Sequence, residues 1–183
     1  MRLFWVCFAM LTSWAAMAQD VVVSAHREGD VVVVDAWADL PVAVLQAWQT
    51  VTDYDQLPRF IPDMSECKVL LRRGNRVLVE QKGSTAFLLI RRAIEVRLEV
   101  EERPFDAVIS RAVSGSFRTM EGRYDFIKSD IGTRFSYSGR IVPDFWIPSL
   151  LETKAVKRVV EKQFSAMVTE ILRRANATAA REH

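Results

Sequence analysis

Residues 148–176 run for nearly thirty positions without a glycine, and their apolar side chains recur at helical spacing. Leu151, Ala155, Val159, Phe164, Met167 and Ile171 form a stripe, with Val156, Val160, Val168 and Leu172 beside it. Lys154, Lys157, Arg158, Glu161, Lys162, Glu170, Arg173 and Arg174 cover much of the remaining surface. Such a pattern is an amphipathic helix with one face packed on something apolar. At 1.5 Å per residue it is about 42 Å long, enough to lie across a whole sheet. The rest of the chain must therefore supply a broad apolar surface.

The preceding residues read as strands. Residues 31–38 are β-branched, and Asp39 and Pro41 mark the start of a helix over 41–52 that buries Val44, Leu45, Trp48 and Val51. Residues 67–72 and 76–83 flank Arg73-Gly74-Asn75, a hairpin signal. In 86–102, Leu88, Ile90, Ile94, Val96, Leu98 and Val100 alternate against Arg91, Glu95, Arg97, Glu99 and Glu101. That is an antiparallel strand with one wet face. Strands at 107–113, 120–128 and 133–142 follow. The order is strand, helix, broken corner, about six strands and one long helix. An α+β fold satisfies it, with a curved antiparallel sheet wrapped around the C-terminal helix.

The corner itself, 48–64, reads WQTVTDYDQLPRFIPDM. Pro58 and Pro62 stiffen it, because proline fixes φ and removes a donor. Phe60 and Ile61 between them either wall one end of a cavity or plug a core. Asp53 and Asp55 are expected to cap turns there.

The first residues have the pattern of a signal peptide, 1–18. Arg2 precedes an apolar run at 3–14, and Ala16-Met17-Ala18 fits the small-x-small cleavage rule, with the cut after Ala18. The run is shorter than the roughly twenty residues needed to span a bilayer. The mature chain is expected to be exported, to the periplasm, as a lead-in (19–29), one domain (30–176) and a polar tail (177–183). Cys67 is then the only cysteine, so no internal disulfide forms and stability must come from the core. With 25 Lys and Arg against 23 Asp and Glu, the chain lacks the basic field of a nucleic-acid binder.

Three segments in order, TDYDQLPRFIPDM, GSFRTMEGRYDF and GTRFSYSGRIVPDFWIP, precede the long helix. In this the chain resembles the START-like SRPBCC superfamily, and within it the polyketide cyclase/dehydrase branch that includes coenzyme Q-binding START-like proteins. The resemblance spans about residues 30–175. It implies a helix-grip (START/Bet v 1-like) fold with a deep apolar cavity between sheet and helix. Members bind lipids, sterols, quinones or polyketides, and only some do chemistry.

The residues offer little for catalysis. His26 lies ahead of the first predicted strand and His183 is terminal, so neither suits a buried base, and no metal-ligand spacing occurs. No glycine-rich phosphate loop is present, so no cofactor is expected. The ligand-contacting set is expected to be Phe60, Ile61, Arg92, Tyr124, Phe126, Phe135, Tyr137 and Trp146. Gly122, Tyr124 and Phe126 share one face of a strand, as do Phe135, Tyr137 and Gly139, and glycines among aromatics leave room. Buried phenols supply a pocket's few polar contacts. Arg92 falls on an apolar face, where it meets a partner or a ligand head group unless a bulge returns it to solvent. Trp146 sits in a proline-stiffened aromatic corner that is a lid or a patch for transient membrane contact. The readings are an exported binder of a hydrophobic small molecule, a cyclase/dehydrase-type enzyme, or an interaction module with a filled cavity.

Overall fold

Period-two alternation dominates the chain, and the structure turns it into one sheet. The computed structural model describes residues 20–87, 90–145 and 149–181. In chain order these form β1 (Val22–Glu28), β2 (Val31–Leu40), α1 (Val44–Val51), a 3-10 turn (Tyr54–Arg59), β3 (Met64–Arg73), β4 (Arg76–Phe87), β5 (Ile90–Arg103), β6 (Ala107–Gly115), β7 (Phe117–Ser129), β8 (Gly132–Pro143) and α2 (Ser149–Ala179). The eight strands make one curved antiparallel sheet in the order β1-β2-β8-β7-β6-β5-β4-β3. Its inner face carries Val32, Val34, Ala36, Ala38 and Leu40 of β2, Val77 and Val79 of β4, and Val96, Leu98 and Val100 of β5, all buried. Gly74 in the β3–β4 hairpin has φ +58°, the left-handed value that glycine adopts without strain.

Helix α2 lies over β1 and β2 and against α1. Three ion pairs fasten it along its length: Arg27–Glu152 at 3.0 Å, Lys162–Asp63 at 2.7 Å and Arg174–Asp53 at 2.8 Å. Its buried face is Val156, Val160, Phe164, Met167, Val168, Ile171 and Ala175. The expected stripe is thus rotated at its start, where Leu151 and Val159 are each 37% exposed. The helix drifts about 20° per heptad against a fixed seam, so residues eight or more positions apart need not share one contact.

Five local expectations change, the first being Leu45, which α1 leaves exposed rather than buried. The lead-in contains β1, which pairs with β2 from Val22↔Trp37 to Glu28↔Val31. α1 begins at Val44, not at Pro41; Ala43 N–H donates to Gln46 Oε1 at 3.1 Å in place of an acidic cap. Asp53 does not cap its turn through its side chain, because its carboxylate accepts from Arg174 instead. The strand expected at 86–102 is two strands: Ala86 and Phe87 close β4, and β5 starts at Ile90. The apolar run there holds no glycine, proline, asparagine or aspartate to mark a boundary.

Candidate functional site

Three alternate rungs of the β7–β8 ladder, which share one face, build the interior. Gly122 pairs with Gly139, Tyr124 with Tyr137, and Phe126 with Phe135, all on the inner face. Phe126 and Phe135 are 4% and 0% exposed and form the floor. Phe135 stacks on Phe164 of α2 with centroids 4.9 Å apart, and Phe126 meets Trp48 of α1 edge-on at 5.4 Å. Phe105, from the β5–β6 turn, closes this end against Trp48 at 5.9 Å.

Above the floor, Tyr124 stacks on Phe135 at 5.4 Å and leans on Tyr137 at 4.8 Å. Tyr137 lies back over the glycine rung. A Cβ on Gly139 would come 2.4 Å from its hydroxyl, and one on Gly122 would come 3.0 Å from its ring. The two glycines are therefore the hollow that this phenol occupies in part. Desolvation pushes the Tyr124 hydroxyl up to about 12, and burial with Tyr124 beside it raises Tyr137 as well. Both phenols are thus protonated donors at neutral pH.

Neither hydroxyl has a hydrogen-bond partner among the described residues, yet neither is a sealed, unsatisfied buried group. Both tyrosines are half-buried. That accessible surface lies on the inner face beside two glycines, where a ligand would meet it. On β6, Ser110, whose hydroxyl donates to Gly122 O at 3.3 Å, adds a polar edge that the sequence reading did not include.

The far end of the lumen is less covered. There β5 begins, β6 turns into β7, and β8 leads to α2. The β4–β5 ladder runs without a register shift from Arg76↔Glu101 to Phe87↔Ile90, so no bulge turns Arg92 outward. Arg92 stays on the side of Val96, Leu98 and Val100, opposite Thr85, at an exposed rim. Its guanidinium sits 4.8 Å from the centroid of Phe145, on the chain leading to α2. Phe145 and Thr85 were not among the expected contacts; Thr85 becomes visible only when the strand boundary after Phe87 is known.

The remaining expected residues lie as follows. Ile61 is buried in the core, and Phe60 is half-buried beneath the Arg174 guanidinium, 5.7 Å from its ring centroid. Trp146 and the segment 1–18 lie outside the described residues. Near the closed end, Tyr54 donates to Glu102 at 2.9 Å while Arg72 grips the same carboxylate at 2.7 and 3.1 Å, a clamp rather than a site. Burial pushes the Cys67 thiol up to about 12, which leaves it a packing group. His26 is exposed on the outer side of β1, 3.2 Å from Glu28. An open groove of about 610 Å³ lies at the closed end, between residues 41–46 and 128–132. A ligand there would keep much of its apolar surface in water, so the interior is the better site.

Comparison with known proteins gives the same frame. The family model described as "Polyketide cyclase / dehydrase and lipid transport" matches residues 40–168. A STAR-related lipid transfer protein from Xanthomonas axonopodis superposes with TM-score 0.66 at 15% identity, covering 86% of this chain and 95% of that one. The Zhui aromatase/cyclase from Streptomyces gives 0.61 at 12% identity, covering 86% and 94%. A human lipid transfer and protein localization domain gives 0.65 at 12% identity, covering 83% and 84%. At these identities the superpositions establish the helix-grip fold. No curated protein sequence matches the chain.

Proposed function

The chain belongs to the polyketide cyclase/dehydrase and lipid transport family, and on that premise we propose that it is an exported carrier for one hydrophobic small molecule, lipid-, quinone- or polyketide-like, held between the sheet and α2. The observation that carries the reading is the pair of unpartnered phenols, Tyr124 and Tyr137, in an apolar lumen above a packed aromatic floor. Apolar walls supply affinity at about 25 cal/mol per Å² of ligand surface buried. The phenols supply donors to one uncharged polar group of the ligand, or to a water bridging to it. Phe60 and Ile61 wall the corner, Phe126 and Phe135 support the tyrosines from below, and Arg92 stands at the rim.

Native mass spectrometry after gentle purification tests this. A bound lipid-like mass is expected, and it should fall away in Tyr124→Trp, which fills the lumen. A clean apo mass, with no thermal shift on adding quinones or fatty acids, overturns the reading. Export rests on Arg2, the apolar run at 3–14 and Ala16-Met17-Ala18. N-terminal sequencing should find Gln19 first in the exported fraction, and an intact Met1 there would overturn it.

A second reading is favoured by one observation. Burial keeps both phenols as neutral donors, and such a donor polarises a ligand carbonyl as a cyclase requires. A turnover assay on a reactive polyketide-like chain decides it: activity lost in Tyr137→Phe supports an enzyme, and no activity in the unaltered protein supports a carrier.

A further inference from the structure

Arg92 is unlike the arginines that fasten this fold. Arg27, Arg72, Arg134 and Arg174 each hold a carboxylate at 3.0 Å or less. Among the described residues Arg92 holds none, although Asp144 adjoins Phe145, whose ring face it lies over. The β4–β5 register keeps it on the lumen side, and that register places Thr85 directly across from it on the same face. Thr85 is half-buried, and its hydroxyl has no partner among the described residues. A planar guanidinium and a hydroxyl, side by side at the rim of an apolar lumen, match an anionic oxygen group. The guanidinium fork takes a carboxylate in bidentate fashion, and the ring behind it holds the fork in place.

The ladder also sets a length. Val100 pairs with Ser110, Ser110 with Gly122, and Gly122 with Gly139, where the Tyr137 hydroxyl lies. Arg92 is eight residues from Val100 along β5. Eight residues of strand measure up to about 26 Å. That offset leaves room for a long molecule that meets both Arg92 and the phenols, with its charge at the rim.

We propose that the ligand of this lumen is a long-chain carboxylate whose head group binds Arg92 and Thr85 at the rim while its tail runs toward Tyr124 and Tyr137. The ligand oxygen displaces part of the ring contact, and the aromatic face then flanks the occupied fork. No charged group enters the deep end, where the two protonated phenols offer neutral hydrogen bonds only. This rests on the carrier reading above and narrows it from any hydrophobic molecule to an acidic amphiphile.

Oleate and methyl oleate differ at the head group alone, so titrating both into the full chain tests it. The unaltered protein should bind oleate about ten-fold more tightly than the ester, the factor expected for one charge-assisted hydrogen-bonded pair. Arg92→Gln should remove that preference by weakening oleate about ten-fold, to the level of the ester. Equal affinities in the unaltered protein overturn the head-group assignment but leave the carrier reading standing. A preference that survives in Arg92→Gln also overturns it. Binding of neither probe overturns the long-chain carboxylate assignment, while the carrier reading is overturned only by the clean apo mass described above. The wild-type comparison needs no variant, so it stands whatever the substitution does to folding.

Discussion

The inner ladder of β7 and β8 contains its own control. At one end the Phe126–Phe135 rung is fully enclosed by Trp48 of α1 and Phe164 of α2. Four residues along the strand, the Gly122–Gly139 pair presents no side chain at all, and the Tyr137 phenol leans across it. Backbone, strand direction and sheet face are the same at both rungs. Side-chain volume and the cover from α1 and α2 differ, and together they make one half of a single face packed core and leave the other half open. Stability and binding are therefore expected to separate along the strand, with the tyrosine rung between them.

The largest effect that would break this contrast is at the packed rung. Phe135→Ala should cost about 3–5 kcal/mol, because the site is fully enclosed and cannot collapse onto the missing ring. The thermal midpoint should fall by roughly 6–20 °C, at about 2–4 °C per kcal/mol for a domain of this size. A fall of a degree or two in differential scanning calorimetry would show the floor to be as hollow as the rim.

At the glycine rung the same measurement should hardly move. The added Cβ of Gly139→Ala meets the far end of a phenol that can swing away, so the stability change should be about 1 kcal/mol or less. Its cost should appear as reduced co-purifying ligand in native mass spectra, since the displaced phenol occupies ligand space. Unfolding of this variant would mark the rung as ordinary core.

Tyr137→Phe sharpens the boundary. Its hydroxyl bonds to no described residue, so urea unfolding should shift by about 0.5 kcal/mol or less. Ligand affinity should drop by roughly 2–10-fold, the worth of one neutral hydrogen bond. A larger loss of stability with unchanged binding would place the hydroxyl in the scaffold.

The smallest expected effect is a slope against pH. Arg173 and Arg174 hold the Glu170 carboxyl down, to about 2 from an ordinary 4.5. A carboxyl with a depressed folded value stabilises above its unfolded value and loses that contribution as pH falls through the folded one. Thermal midpoints should therefore decline between about pH 4.5 and 2, and less steeply in Glu170→Gln. Equal slopes would remove this pair of arginines from the grip.

Much of the frame was legible because its signals are local. Alternation in β5 puts Arg92 on the face of Val96, Leu98 and Val100 unless a bulge intervenes, and the unshifted β4–β5 ladder shows none there. The long helix, the hairpin at Gly74 and the broken corner follow from spacing, glycine and proline in the same way. What was illegible depends on a partner distant in sequence. Asp53 reads as a cap until Arg174 reaches it from 121 positions away. Leu151 and Val159 read as buried until the helix proves to turn Val156 and Val160 inward in their place. The turn after Phe87 carries no turn residue, so Thr85 was not seen to face Arg92.

The amino-acid sequence by itself determined the elements, their order and the inner face of each strand, because period and turn chemistry act within a few residues. Only the tertiary structure decided which inner side chains pack and which stand open. Phe135 and Tyr137 are two residues apart on one face; one is sealed under Phe164 and the other rests over two glycines. Burial is a property of what comes from across the fold, and the curvature of the sheet under α2 sets that distance.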